Sequence, residues 1–203
     1  MASTDKPRIL LLCLSYRDFL EKIYSPFYNS LLKVAHVQRA KTASAAIRAL
    51  ASTPFKAVII ADEGLTERDT ENQEVLSRLK TYIENGGLAI AGLHFPNFTP
   101  MDRFRAFFQA FGLPWETGDY HRTVFQLNPS AALPESTKPA SLPGPYSMKA
   151  LHVPNARLHE KIFVPVEGAV TQSLVFGPNY VDQTQAAVVG EVWPGTSRVL
   201  WRR

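Results

Sequence analysis

Acid–base side chains stand directly after short apolar runs at several places in the sequence. His94 follows GGLAIAGL, and Asp62 and Glu63 follow FKAVIIA. A histidine beside a carboxylate is a common arrangement for proton transfer, because imidazole titrates near neutral pH and the carboxylate stabilises its charged form. A third run, RILLLCL, is followed by Ser15, Tyr16 and Arg17. An arginine at this place could clamp a carboxylate or hydroxyl group of a ligand.

Further candidate ligand-binding residues lie after these runs. They are Asn97, in the turn HFPN, and Tyr120, His121 and Arg122, in the segment GDYHRT. Strand alternation sends Tyr120 and Arg122 to one face and His121 to the other. No histidine pair has the H-x-x-x-H or H-E-x-x-H spacing of a metal site, so we predict no bound metal. The alternative is a metal held by distant residues such as His94, His121 and Asp62.

Three of the candidates that follow the apolar runs also have an ordinary structural interpretation. Asp62 could cap a turn, as aspartate often does. Arg17 could be a residue of the first turn of a helix, and His94 could be a core histidine whose nitrogens are hydrogen-bonded. The pairing of His94 with Asp62 and Glu63 favours a functional site over these alternatives.

An alternation of strands and helices is predicted to position these residues. The predicted strands are 8–14, the segment HVQRAK, 55–61 and the run that ends at His94. The predicted helices are 17–35, with Pro26 expected to kink or divide it, TASAAIRALAS, TENQEVLSRLKTYIENGG and 100–112. This order is typical of an α/β fold with a parallel sheet covered on both faces. Ligands bind such sheets outside the carboxyl ends of the strands, where the candidate residues would meet.

The chain beyond Gly112 has a different character. Prolines are frequent between residues 113 and 160, and short extended pieces such as HRTVFQLN occur among them. Apolar runs at 161–166, 173–177 and 186–193 are predicted to be strands without full helices between them. We therefore expect a single domain over residues 1–203, with a doubly wound amino-terminal part and a β- and loop-rich carboxy-terminal part.

The composition argues against several classes of partner and cofactor. The net charge of +4 is spread without interleaved aromatic residues, which does not favour nucleic-acid binding. No apolar stretch reaches about 18 residues, so we expect no membrane span, and MASTDKPRILLLCLSY is interpreted as a first strand rather than a signal peptide. The only cysteine, Cys13, fits the reducing cytoplasm. Dinucleotide, P-loop and G-x-S-x-G motifs are absent, and we predict no cofactor.

Five segments resemble the trehalose-utilisation (ThuA-like) branch of the class I glutamine amidotransferase-like superfamily, which also contains the DJ-1/PfpI proteins. They span most of residues 7–193 and are AVIIADEGLTER, LKTYIENGGLAIAGLHFPNF, FGLPWETGDYHRTVFQLNP, YSMKALHV and TQSLVFGPNYVDQTQAAVVGEVW. The glycine pair, the apolar strand and the G-L-H turn are the most specific part. The resemblance implies a flavodoxin-like three-layer α/β/α sandwich with a pocket at the strand ends.

Two departures from the family limit the chemistry that it implies. Amidotransferases and DJ-1-like proteins carry a nucleophilic cysteine on the strained turn after this strand, and here His94 occupies that place. Cys13 is expected to be buried and inert, so glutaminase and cysteine-peptidase activities are not expected. ThuA-like chains also continue through a glycine-rich turn and a closing helix, whereas this sequence stops at GTSRVLWRR. An unusual terminus and a shortened reading frame both stay open, and either would leave Trp201 exposed to a partner.

These observations together predict a cytoplasmic protein that binds a small hydroxylated or carboxylated metabolite at the strand ends. As an enzyme it would be a cofactor-independent hydrolase, lyase or isomerase, with His94 as acid or base. Glu63 or Asp62 would orient the imidazole, and Arg17 or Arg122 would clamp the ligand. The alternative is a non-catalytic binding or assembly module. Sandwiches of this kind often form homodimers, so a second copy of the chain is a further candidate partner.

Overall fold

The computed structural model describes residues 6–52, 54–134, 137–192 and 199–202, the last four by their backbone only. The side chain of Trp201 therefore lies outside the described part. The chain divides into two compact units, an amino-terminal unit, Met1–Thr99, and a carboxy-terminal unit, Pro100–Arg203. Among the described residues, no helix combines the length and the apolar character that crossing a membrane requires.

Four parallel strands form the sheet of the amino-terminal unit, in the order β2-β1-β3-β4. They are β1 (Arg8–Leu12), β2 (His36–Ala40), β3 (Ala57–Ile60) and β4 (Leu88–Ala91). Leu12 is in register with Ile60, and Ile60 is in register with Ala91. The carboxyl ends of β1, β3 and β4 are therefore level, and the residues that follow them share one edge of the sheet.

Helices connect these strands and flank the sheet, as the predicted α/β class requires. They are α1 (Asp18–Ile23), α2 (Ser25–Val34), α3 (Ala43–Ser52), α4 (Thr70–Glu84) and α5 (Phe95–Phe98). Leu11 and Ile59 pack with Tyr28 of α2 on one face of the sheet. Leu10 and Ile60 point to the other face by strand alternation and are also fully buried, so both faces are covered.

Pro26 divides the predicted helix 17–35, as expected. Helix α1 ends at Ile23, and α2 begins at Ser25 with the proline in its first turn. Proline lacks the backbone N–H that a helix interior needs, but in the first turn that N–H has no intrahelical acceptor in any case. The proline is therefore compatible with the start of α2 and not with an uninterrupted helix.

In its described residues, the carboxy-terminal unit contains one α-helix and an antiparallel sheet with strand order β9-β8-β7-β5-β6. The elements are α6 (Met101–Gln109), β5 (Tyr120–Leu127), β6 (Tyr146–Leu151), β7 (Lys161–Pro165), β8 (Val188–Val192) and β9 (Val199–Arg202). Phe125 and Ile162 form the centre of a buried cluster with Val188. The predicted strands at 161–166 and 186–193 are confirmed within their described residues.

The prediction of a strand at 173–177 is wrong. Residues 174–176 form bends, and Leu174, Val175 and Phe176 are exposed. The Ser173 hydroxyl accepts hydrogen bonds from the backbone N–H groups of Val175 and Phe176, both at 3.1 Å. A serine that engages nearby N–H groups in this way offers the backbone an alternative to a strand ladder. The apolar composition alone did not reveal this competition.

Candidate functional site

His94 lies on a tight turn that connects β4 to α5. The backbone N–H of His94 donates to the carbonyl of Ala61, 2.9 Å away, which ties this turn to the end of β3. Leu93 has a φ of 56°, and it is the one residue other than glycine with a positive φ among those described. His94 itself has helical backbone angles. The backbone strain of this turn therefore lies at Leu93, directly before His94.

Aromatic rings surround the imidazole of His94. The ring stacks on Phe98 with 3.6 Å between centroids, and it makes edge-to-face contacts with Phe19 and Tyr24 at centroid distances of 5.8 and 6.4 Å. His94 is only 5% exposed, whereas Phe19 and Phe98 are 47% and 50% exposed. The Nε2 atom of His94 is buried and has no hydrogen-bond partner in the described part of the chain. The site thus holds an unsatisfied imidazole nitrogen beneath aromatic rings that face solvent.

Glu63 and Arg17 form an ion pair beside this histidine. Arg17 donates from Nη1 to Glu63 Oε2 at 3.2 Å and from Nη2 to Glu63 Oε1. The guanidinium therefore forms a bidentate contact with both carboxylate oxygens. The hydrogen bonds that Arg17 donates to the Glu63 carboxylate raise the pKa of Arg17. Burial raises the pKa of Glu63, but hydrogen bonds from Arg17 and the charges of Arg17 and His94 lower it below its usual value. Arg17 is therefore already engaged by an anion of the protein itself, and a ligand would have to compete with Glu63 for it.

Asp62 has a different function from its neighbour Glu63. Its Oδ1 atom accepts hydrogen bonds from the backbone N–H groups of Ser15, at 3.0 Å, and Gly64, at 3.1 Å. Burial raises the pKa of Asp62, and these two hydrogen bonds lower it again in part. The carboxylate joins the segment after β1 to the segment after β3. In the described residues neither Asp62 nor Glu63 hydrogen-bonds to the imidazole of His94, so the orienting role predicted for them is not seen here.

The other predicted ligand-binding residues of this unit are Ser15, Tyr16 and Asn97, which lie in the segments after β1 and β4. The carbonyl of Ser15 accepts a hydrogen bond from Arg17 Nη1, at 3.3 Å. The ring of Tyr16 lies under the ammonium group of Lys41, with 3.5 Å from Nζ to the ring centroid. Asn97 is exposed on α5. Of these residues, Ser15 therefore belongs to the hydrogen-bonded group around Arg17 and Asp62.

The residues of GDYHRT lie on β5 of the carboxy-terminal unit, with the predicted alternation. Tyr120 and Arg122 are exposed, and His121 is half-buried. The imidazole of His121 packs against that of His152, with 4.3 Å between ring centroids. Lys149 lies over the ring of Tyr120, at 4.5 Å from the centroid. Tyr120 and Arg122 therefore share a solvent-facing surface with Lys149.

A buried pair of glutamates in the carboxy-terminal unit was missed by the sequence analysis. Glu160 is fully buried, and its Oε2 atom accepts hydrogen bonds from Trp115 Nε1, at 2.9 Å, and from the backbone N–H of Arg157, at 2.7 Å. Glu191 faces Glu160, and burial together with this neighbouring carboxylate raises the pKa of Glu191 to about 7. One signal was present in the sequence, because Glu191 is a charged residue within the apolar run AAVVGEVW.

The burial of His94 gives a testable pH dependence. Burial lowers the pKa of His94 from its ordinary value of 6.5, the carboxylate of Glu63 raises it, and the guanidinium of Arg17 lowers it, with a net decrease. Because the folded chain holds this proton less tightly than the unfolded chain, the contribution of His94 to stability falls as the pH drops below about 6.5. We expect an NMR titration to give a pKa below 6.5 for His94, and a still lower pKa in Glu63→Gln. Glu71→Gln, which changes an exposed acid on α4, should leave the titration unchanged. A higher pKa in Glu63→Gln would contradict the proposed electrostatics.

Comparison of the chain with protein-family models, with curated proteins and with solved structures finds no match.

Proposed function

We propose that the amino-terminal unit binds a small hydroxylated metabolite at the strand ends around His94, in line with the ThuA-like resemblance of the sequence. The observation that carries this proposal is the buried Nε2 atom of His94, which has no hydrogen-bond partner among the described residues. Leaving such an atom without a partner costs about 1–3 kcal/mol, and a ligand hydroxyl would remove that cost. Natural proteins tolerate such costs mainly at functional sites.

The charges of the site favour a neutral hydroxylated ligand over a carboxylated one. The positive charge of Arg17 acts on His94, and both Nη atoms of Arg17 donate hydrogen bonds to Glu63. A ligand carboxylate would have to displace the Glu63 carboxylate and leave it buried without a partner, which is costly. A polyol has no such competition. The half-exposed rings of Phe19 and Phe98 provide an apolar surface for its C–H groups.

The chemistry available to this site is proton transfer without a thiol. The lowered pKa keeps the imidazole of His94 neutral at pH 7, so Nε2 can accept a proton from a ligand hydroxyl. The nearby Glu63 carboxylate would stabilise the imidazolium that results. Cys13 takes no part, because burial and the charge of Asp62 raise the pKa of its thiol to about 12. The reaction class would be that of a cofactor-independent hydrolase, lyase or isomerase, and an unpaired cysteine suits the cytoplasm.

One observation favours the second candidate, a non-catalytic binding module. A general base is normally oriented by a group that hydrogen-bonds to its other nitrogen. In the described residues no carboxylate holds the His94 ring in this way, and the ring is fixed by stacking on Phe98 instead. Stacking positions a hydrogen-bonding group for a ligand, but it does not stabilise a charged imidazole as a carboxylate contact would.

The substitution His94→Phe tests ligand binding without creating a cavity. Phenylalanine keeps the stacked ring and removes the unsatisfied nitrogen, so we expect the melting temperature to stay equal or to rise. The imidazole signal that disappears from the NMR spectrum of this variant identifies His94. In the unchanged protein we expect that signal to shift when glucose or trehalose is added, and to shift little with malate.

A control variant and two possible outcomes decide whether the proposed ligand site is correct. His36→Gln changes a histidine at the amino end of β2, the opposite end of the strand from the site, and should bind the same sugars as the unchanged protein. Equal sugar binding by His94→Phe would rule out the proposed site. A His94 signal that responds to none of the sugars would rule out the hydroxylated ligand class.

A further inference from the structure

We infer that the carboxy-terminal unit contains a binding site for one divalent transition-metal ion, held by Glu160, Glu191 and His159. One carboxylate oxygen from each glutamate and one ring nitrogen from the histidine lie within 4.8 Å of one another. The site shares no residue with the proposed ligand site around His94, which belongs to the amino-terminal unit. It also departs from the expectation, based on histidine spacing, that the chain binds no metal.

One oxygen of each glutamate has charged neighbours at ion-pair distance but accepts no hydrogen bond in the described part of the chain. Glu160 Oε1 and Glu191 Oε2 are buried and have no hydrogen-bond partner within the described ranges, and the two side chains are 0% and 8% exposed. Glu160 is held in place by its other oxygen, which accepts from Trp115 and from the backbone of Arg157. Two carboxylates this close repel each other when both are charged, so a cation between them would remove an unfavourable interaction.

The donor atoms indicate which class of metal would bind. His159 Nε2 lies 3.6 Å from Glu191 Oε2, a separation that two ligands of one ion can have when each bond is about 2.0–2.2 Å long. One imidazole nitrogen with two carboxylate oxygens suits Zn²⁺ and similar ions, whereas Mg²⁺ and Ca²⁺ prefer oxygen ligands alone. The indole N–H of Trp115 supplies the outer hydrogen bond that commonly orients a ligating carboxylate.

Arg157 is the group that a metal ion would replace. Its Nη1 atom lies 3.3 Å from Glu160 Oε1 and 3.6 Å from Glu191 Oε2, at ion-pair distances but without hydrogen-bond geometry. The side chains of Arg157 and His159 are exposed, so this side of the cluster provides an entry path. The guanidinium can swing into solvent while the backbone N–H of Arg157 stays bound to Glu160.

Calorimetric titration of the EDTA-treated full chain with Zn²⁺ tests this site. We expect one Zn²⁺ per chain, and we expect Mg²⁺ and Ca²⁺ to bind much more weakly. His159→Ala removes an exposed side chain without disturbing the core, and it should weaken Zn²⁺ binding by at least about 10- to 100-fold, the loss that even an outer-shell substitution produces. Arg157→Ala should strengthen binding, because it removes the competing cation.

Further variants show whether the ion binds at this place or elsewhere. Glu191→Gln should weaken Zn²⁺ binding, whereas Glu167→Gln, which changes an exposed acid of the same unit, should leave it unchanged. The thermal melt of each variant without metal shows that it is folded. The inference is overturned if Zn²⁺ does not bind at a one-to-one ratio, or if His159→Ala binds it as tightly as the unchanged protein does.

Discussion

Gly64→Ala is expected to destabilise the amino-terminal unit by about 1–3 kcal/mol or more, the range for adding atoms to a well-packed position. A Cβ at Gly64 would lie 2.6 Å from Leu14 Cβ, 2.6 Å from the Ser15 backbone nitrogen and 2.7 Å from the Leu14 carbonyl carbon. Two of these atoms belong to the backbone, so no side-chain rotation relieves the clash. The segment after β1 would have to move away from the segment after β3.

The same movement should disrupt the proposed ligand site. The Ser15 backbone nitrogen that would clash with the new methyl group is also the donor to Asp62, and Arg17 reaches Glu63 from the same segment. We therefore expect Gly64→Ala to weaken ligand binding at His94 as well as stability. The binding side chains no longer hold their relative positions when the turns that carry them move apart.

Urea unfolding followed by circular dichroism measures this effect. Gly144→Ala is the matched control, because a Cβ at Gly144 would meet no atom within 4 Å. The control should be neutral or stabilising, since alanine reduces the conformational entropy of the unfolded chain. If the two variants unfold at the same urea concentration, the close approach between Gly64 and the segment after β1 is incorrect.

Glu160→Leu is expected to destabilise the carboxy-terminal unit by about 2–6 kcal/mol, because it leaves two donors without an acceptor. The indole N–H of Trp115 and the backbone N–H of Arg157 both donate to Glu160 Oε2, and Trp115 is fully buried. Leucine has a similar volume, so the loss would come from these donors and not from a cavity. Each buried donor without a partner costs about 1–3 kcal/mol.

Glu160→Gln separates the hydrogen bonds from the charge. The glutamine side-chain oxygen can accept from both donors, and its NH₂ group can donate to Glu191, so we expect stability within about 1 kcal/mol of the unchanged protein. Unfolding in urea followed by tryptophan fluorescence compares the two variants. In the double variant Trp115→Phe with Glu160→Leu, part of the loss should be recovered because one unpaired donor is removed. Equal stability of Glu160→Leu and Glu160→Gln would show that these hydrogen bonds contribute little.

The sequence alone determined most of the amino-terminal fold and the place of its candidate site. Runs such as RILLLCL and FKAVIIA are apolar on both faces and are therefore typical of buried parallel strands, and the order of the elements predicted that the residues after these strands would meet at one edge of the sheet. The position of Pro26 predicted the division between α1 and α2. These features could be predicted because they depend on local backbone preferences and on the short range of topologies that a strand–helix alternation allows.

The roles of the individual side chains were decided by the tertiary structure. Asp62 and Glu63 are neighbours in the sequence, yet one holds backbone N–H groups and the other holds Arg17, because successive residues after a strand point in different directions. The stacking of His94 on Phe98 depends on the short helix α5, and the contact between Glu160 and Glu191 joins residues far apart in the chain. Periodicity and composition report which face of an element is apolar. They do not report which polar atoms meet across the packed elements, since register, turn geometry and rotamers decide this only when the chain is folded.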